Sequence, residues 1–170
     1  MLDRNITQLV NEQINKEFYS AYLYLAFSNY YAVKNLNGFA NWYKVQAQEE
    51  RDHALLFIQY LLNNSEQVVL TEIAMPANEY PDFSAPLKAG FEHECFVTAS
   101  INNIYGEALA IKDFRTTQFL DWFIKEQGEE EKNADELIQK YALFGQDSKS
   151  LYLLDAELAT RVYAPPSLVI

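Results

Sequence analysis

The chain has 170 residues, 49% of them hydrophobic, with 24 acidic and 13 basic side chains and a formal charge of −11. That length fits one domain with a sizeable core. The acidic balance excludes the basic footprint of a nucleic-acid binder and disfavours an anionic membrane surface. Cations are the natural partners of such a chain, against the plain alternative of a solubilising surface. With 12 Tyr, 11 Phe and 2 Trp but only 5 Gly and 5 Pro, long helices are favoured over many short strands, and disorder is excluded. Cys95 is the single cysteine, so no intrachain disulfide forms, which fits a reducing cytoplasmic compartment. No apolar run follows the first five residues and no stretch of ~18 apolar residues exists, so neither a signal peptide nor a membrane span is expected.

Helical periodicity divides the chain into four long segments and a short fifth. The first covers about residues 3–33, with Ile6, Val10, Ile14, Phe18, Ala21, Leu25 and Tyr31 at helical rather than strand spacing. Asn35, Asn37 and Gly38 punctuate its end. The second covers about 39–62 and stops at Asn63-Asn64-Ser65. The third, about 85–111, follows Asp82-Phe83-Ser84, which offers capping side chains. The fourth, about 116–144, closes at Gly145, a natural C-cap. The fifth, about 148–160, carries Leu151, Leu154 and Leu158 on one stripe, and Pro165-Pro166 forbid its continuation into the tail 161–170.

Connection lengths set the topology. The first and second segments are joined by a few residues, as are the third and fourth, so each pair is expected to be antiparallel. About 20 residues, with Pro76 and Pro81, separate the second from the third. A helix of about 26 residues is about 39 Å long, and about 20 extended residues reach about 60 Å. The connection can run the length of the bundle and make the second and third helices parallel. The expected fold is all-α: a four-helix bundle with one long crossover and a short fifth helix. A simple up-down bundle with a slack loop is the alternative.

The inward stripes carry the functional signal. Phe39, Tyr43, Gln46, Glu50, His53, Phe57 and Tyr60 alternate steps of four and three, the seam of a bundle helix. The fourth segment reads Leu120, Phe123, Gln127, Glu130, Ala134, Leu137 and Tyr141. The first passes through Val10, Glu17, Tyr24 and Tyr31, and the third through Leu87, Glu94, Ile101 and Ala108. Each seam is apolar or aromatic except near its middle, where it presents a carboxylate. His53 lies one turn from Glu50.

Four buried carboxylates with no Lys or Arg on the matching positions repel one another. Either several are protonated or cations sit between them. Carboxylate oxygen and imidazole nitrogen suit first-row metal ions, and this set is large enough for two. A single polar seam residue is more often a register device than a ligand; four at one level plus a histidine are not. His93, about 100° off the seam, is expected at the surface or between subunits. Cys95 is expected to be structural. In Glu129-Glu130-Glu131, Glu130 is on the seam, Glu129 flanks it and Glu131 faces away.

These motifs resemble the bacterial non-haem ferritins over almost the whole chain: Glu17 with Tyr24, the run from Gln48 to His53, Glu94, and the run from Glu126 to Lys132. Di-iron bundles of that class draw one Glu from each of two helices and a Glu-x-x-His motif from each of the other two. The resemblance implies a ferritin-like fold and a ferroxidase that oxidises ferrous iron with dioxygen or hydrogen peroxide. By it, Glu17, Glu50 and His53 hold one iron, with Glu50 bridging to a second held by Glu94 and Glu130. Gln127 supports bound oxygen species or water, and Tyr24 supplies an electron or a hydrogen bond. Glu49, Glu126 and Glu129, shared with Glu130, correspond to a third iron position.

The fourth segment departs from the generic motif. It lacks the second histidine, so the second iron has oxygen ligands only and is expected to be held more weakly and to leave after oxidation. The missing histidine counts against bacterioferritins and rubrerythrins. No haem is expected, because position 52 is Asp52 and the only methionines are Met1 and Met75. By resemblance the product is a ferric mineral inside a 24-subunit homo-oligomeric shell, without nucleic acid or membrane partners. The alternative is a di-iron oxidase or peroxidase that stores nothing.

Overall fold

The computed structural model describes residues 2–170 and contains, among them, five α-helices and no strand. They are α1 (Arg4–Val33), α2 (Asn37–Asn63), α3 (Ser84–Ala110), α4 (Phe114–Phe144) and α5 (Ser148–Leu158). Aspartates open four of the five. Asp3, Asp113 and Asp147 each accept a backbone N–H of the first turn, and Asp82 Oδ1 accepts those of Ser84 and Ala85 at 2.8 and 3.0 Å. Each such bond satisfies a donor that the helix itself leaves open.

Gly38 plays a role other than the one expected, and Gly145 caps α4 as expected but in an unexpected conformation. Asn37 and Gly38 do not end α1; they are the first residues of α2. The reversal takes only residues 34–36, with Asn35 in the left-handed region at φ 61°. Gly38 is instead where α5 docks. Asp155 Oδ1 accepts the N–H groups of Gly38 and Phe39 at 2.8 and 3.0 Å, capping α2 from another helix. A Cβ at position 38 would lie 1.6 Å from the Asp155 carbonyl oxygen. Gly145 does follow α4, but with φ −82° it is not a left-handed cap. A side chain there would crowd the Tyr141 ring, 2.5 Å from an added Cβ.

The crossover, residues 64–83, climbs the whole of α1. Its start is held where Leu2 N donates to Glu66 Oε1 at 2.8 Å. Asn11 then donates to the Gln67 carbonyl and accepts Val69 N–H, at 3.1 and 2.7 Å, and Asn15 donates to the Glu72 carbonyl at 2.9 Å. At the far end the Tyr80 ring packs on Phe27 and Tyr30, and Tyr31 Oη donates to the Phe83 carbonyl at 2.6 Å. Two asparagine amides thus replace the ladder partners that an isolated extended segment lacks. α2 and α3 therefore run parallel, and the up-down alternative is excluded.

The core is split in two. One apolar cluster, including Ile6, Val10, Phe57, Val97, Ile101, Leu120 and Phe123, fills one end of the bundle. The other, including Tyr24, Phe27, Tyr31, Phe39, Tyr43, Leu87 and Leu137, fills the opposite end and takes in Leu154 and Leu158 of α5. Between these plugs lies a buried polar layer. Among the described residues no helix is long and apolar enough to cross a membrane.

Candidate metal centre

The polar layer is where the four seam carboxylates meet. Glu17 of α1, Glu50 and His53 of α2, Glu94 of α3, and Gln127 and Glu130 of α4 are all buried, with exposures of 6% or less. One donor atom each from Glu17, Glu50 and His53 lies within 4.8 Å of the others, and the same holds for Glu50, Glu94 and Glu130. Glu50 belongs to both groups, so the arrangement offers two adjoining cation positions with one carboxylate between them.

Hydrogen bonds orient each carboxylate. Gln13 Nε2 donates to Glu17 Oε1 at 2.7 Å. The Gln13 amide cannot turn over, because its oxygen accepts from Ser100 Oγ at 2.6 Å, and Ser100 accepts from Lys16 Nζ at 2.6 Å. Gln46 Nε2 donates both to Glu50 Oε1 at 3.0 Å and to Glu130 Oε2 at 2.7 Å, tying the shared carboxylate to α4. Tyr24 Oη donates to Glu94 Oε1, and Gln127 Nε2 donates to Glu94 Oε2 at 3.2 Å. His53 Nδ1 is 3.4 Å from Glu50 Oε2, and its ring is wedged edge-on against Trp122 and Phe123. Glu17 Oε2 is buried without any partner. A native interior rarely leaves an acceptor orphaned, and a cation bound between Glu17, Glu50 and His53 completes it. The oxygen and nitrogen donors suit a first-row metal ion.

The electrostatics point the same way. Burial, then the Glu50 charge, pushes Glu17 up to about 8, and the same two causes in the same order push Glu130 up to about 8. Glu94 is raised well above the carboxylate range by burial and by Glu50 and Glu130. Burial also opposes the charge on Glu50, but the hydrogen bond and charge of His53 outweigh it and hold Glu50 below its ordinary value. Burial would lower His53; the hydrogen bond and charge of Glu50, with Glu17 and Glu130, overcome it and raise His53 to about 10. Without metal, these shifts favour one ion pair, Glu50 with His53, among acids that hold their protons more tightly than usual. Cations that enter must displace those protons.

The flanking residues divide. Tyr24 lies against the centre, stacked on Tyr43 at 5.7 Å between ring centroids. Glu49, Glu126 and Glu129 are not gathered with three donors in reach of one ion: among the described residues, neither of the two metal-capable groups includes them. Glu49 is paired with Arg161, Nη2 to Oε2, at 2.5 Å; Glu126 is half-buried and Glu129 exposed. His93 is not at the open surface. It is half-buried between α1 and α3, with Nε2 2.7 Å from Ser20 Oγ and its ring edge-on to Tyr19 and Tyr24. Cys95 is exposed rather than packed. Periodicity assigns no role to Gln13 or Gln46. Their one signal is a Gln-to-Glu spacing of four, present at 13/17 and again at 46/50.

Comparisons with known proteins agree with this geometry. Residues 7–144 match the family model of the ferritin-like domain. The chain is 37% identical over 155 residues to the bacterial non-heme ferritin of Campylobacter jejuni, covering 91% of this chain and 93% of that one. It is 35% identical to a probable bacterial non-heme ferritin-like protein of Haemophilus influenzae, covering 93% and 96%. Among solved structures, an open-pore ferritin from the archaeon Archaeoglobus fulgidus superposes with TM-score 0.93 at 37% identity, over 95% of this chain and all of that one. A humanized archaeal ferritin superposes with TM-score 0.95 at 37% identity, over 97% and 100%. Four helices with one long crossover, a carboxylate layer at their middle and relatives matched nearly end to end place this chain in the ferritin family.

Proposed function

We propose that the chain, a single ferritin-like domain, is a cytoplasmic ferroxidase that oxidises ferrous iron in the bundle and stores it as a ferric mineral inside a shell of 24 copies. The observation that carries this reading is the sharing of Glu50 between two metal-capable groups, beside the orphaned Glu17 Oε2. Iron is the substrate. Glu17, Glu50 and His53 receive one ferrous ion, and Glu50, Glu94 and Glu130 receive the other. Each ion gives up one electron. Together they reduce dioxygen and two protons to hydrogen peroxide, or hydrogen peroxide and two protons to water.

The protein's part is positional and electrostatic. Carboxylates fixed by Gln13, Gln46, Gln127 and Tyr24 favour the ferric over the ferrous charge, and the protons they shed on binding are available to the oxidant. The second position has oxygen donors only and releases its product more easily than the first, which suits storage. Glu49, Glu126 and Glu129 correspond to a third, looser position beside the centre, which is not assembled while Arg161 holds Glu49. Two measurements test the reading. Glu50→Ala removes the shared ligand and is expected to slow initial aerobic oxidation by about 100-fold or more; unchanged oxidation overturns the assignment. Storage is expected to show as a particle of about 470 kDa that loads far more than ~3 irons per chain. An oxidase that stores nothing stops at that ratio.

A further inference from the structure

Glu49 already has a cation, supplied by the chain itself. Arg161 lies three residues beyond the end of α5 and reaches back to the face of α2 that flanks the centre. Its guanidinium meets Glu49 Oε2 at 2.5 Å, lies 4.3 Å over the Trp42 ring and donates to the Trp42 carbonyl at 3.4 Å. Trp42 and Glu49 are seven residues apart, hence on one stripe of α2. The backbone there is held too: Asn41 Nδ2 donates to the Arg161 carbonyl at 3.0 Å, and two residues on, Tyr163 Oη donates to Asp52 Oδ2. The side chains of Arg161 and Glu49 are 16% and 17% exposed, so this pair is shielded from the water and salt that weaken surface pairs.

We propose that Arg161 is an internal competitor for the third iron position, occupying Glu49 so that a metal ion binds there only by displacing the guanidinium. The proposal rests on the reading of Glu49, Glu126 and Glu129 given above and refines it. A guanidinium keeps its charge throughout the accessible pH range, so loss of its proton does not open the position. Only a cation of higher charge density, or movement of the tail off Trp42 and Asn41, does so. Arg161 makes no hydrogen bond to Glu17, Glu50, His53, Glu94 or Glu130 and reaches Glu130 only through its charge, so it does not occupy the central pair. The arrangement imposes an order: two ions in the centre first, a third at Glu49 afterwards and weakly.

Zn2+, which is redox-inert, counts the positions. Calorimetric titration of the assembled protein is expected to show two tight Zn2+ per subunit in the wild type. In Arg161→Gln a third is expected, at least 10-fold tighter than any third ion of the wild type. Tyr163→Phe, which frees the tail without touching the pair, is expected to give a smaller gain and guards against misfolding of the first variant. The third ion must disappear in the double variant E49Q/R161Q. Wild-type protein that binds three Zn2+ equally tightly, an unchanged third affinity in both single variants, or a third ion that survives E49Q each overturns the proposal. Loss of the tight pair in E50A reports on the centre independently, so failure of the wider reading shows as retention of that pair.

Discussion

Stripping metal from the protein and raising the pH from about 5.5 to about 9 is expected to destabilise it, opposite to the behaviour of a protein held by surface carboxylate pairs. Glu17 and Glu130 keep their protons up to about 8 in the fold, against a reference of 4.5. An acid that binds its proton more tightly when folded contributes fully below the unfolded value, and that contribution is lost as pH rises through the folded one. His53, raised from 6.5 to about 10, acts in the same direction: its contribution is complete below 6.5 and lost as pH passes about 10. At ~1.4 kcal/mol per unit, about 3 kcal/mol per carboxyl falls between pH 5.5 and 9. Two carboxyls therefore put up to about 6 kcal/mol per subunit at stake, or roughly 12–24 °C of melting temperature at ~2–4 °C per kcal/mol. Thermal melts of metal-free protein across this window, with and without Zn2+, provide the assay. Bound Zn2+ replaces the protons and is expected to flatten or reverse the slope. A metal-free melting temperature that stays level or rises with pH, or a slope that Zn2+ leaves alone, refutes the reasoning.

The chain from Lys16 through Ser100 and Gln13 to Glu17 predicts that Ser100→Ala, by freeing the Gln13 amide to turn, weakens metal binding at the first position about 10-fold, with Ser100→Thr restoring it. Anaerobic ferrous titration checks this, and wild-type affinity in Ser100→Ala removes the positioning role. Gly38→Ala drives a methyl group into the Asp155 carbonyl and is expected to undock α5, lowering the melting temperature more than Asp155→Ala does. The latter loses the α2 cap alone, worth about 1–2 kcal/mol. Equal melting of Gly38→Ala and wild type contradicts the close approach.

The centre was legible because a carboxylate on an apolar seam is conspicuous: Glu17, Glu50, Glu94 and Glu130 each interrupt a stripe that is otherwise apolar or aromatic, at matching heights. The length of the connection made a parallel crossover possible but left an up-down bundle open, which the anchoring of residues 64–83 along α1 excludes. What escaped was whatever depends on contacts between distant segments. Gln46 stands on the same seam as Glu50, yet nothing in periodicity distinguishes a packed glutamine from one that grips two ligands on different helices. His93 lies about 100° from Glu94, which points to solvent only if the neighbouring helix is remote. α1 is close enough to receive the ring at Ser20, so the buried stripe of α3 is wider than its seam. Arg161 and Asp155 act across more than 110 residues of chain, a range at which composition and spacing are silent. The formal charge of −11 also shifts in meaning: burial and mutual repulsion push Glu17, Glu94 and Glu130 toward the neutral form and Glu50 holds the His53 proton, so part of that negative charge needs a cation to balance it.

The cap that Asp155 places on α2 spans 117 residues. A chain is made from its N-terminus, and segments fold in roughly that order. The α1–α2 hairpin therefore emerges with the start of its second helix open, and those first N–H groups stay paired with water while α3 and α4 are still being added. Only when α5 leaves the ribosome and settles on Gly38 does the helix bearing Glu50 and His53 gain its last two hydrogen bonds. Arrival of α5, rather than formation of the hairpin, is what caps the helix that bears Glu50 and His53.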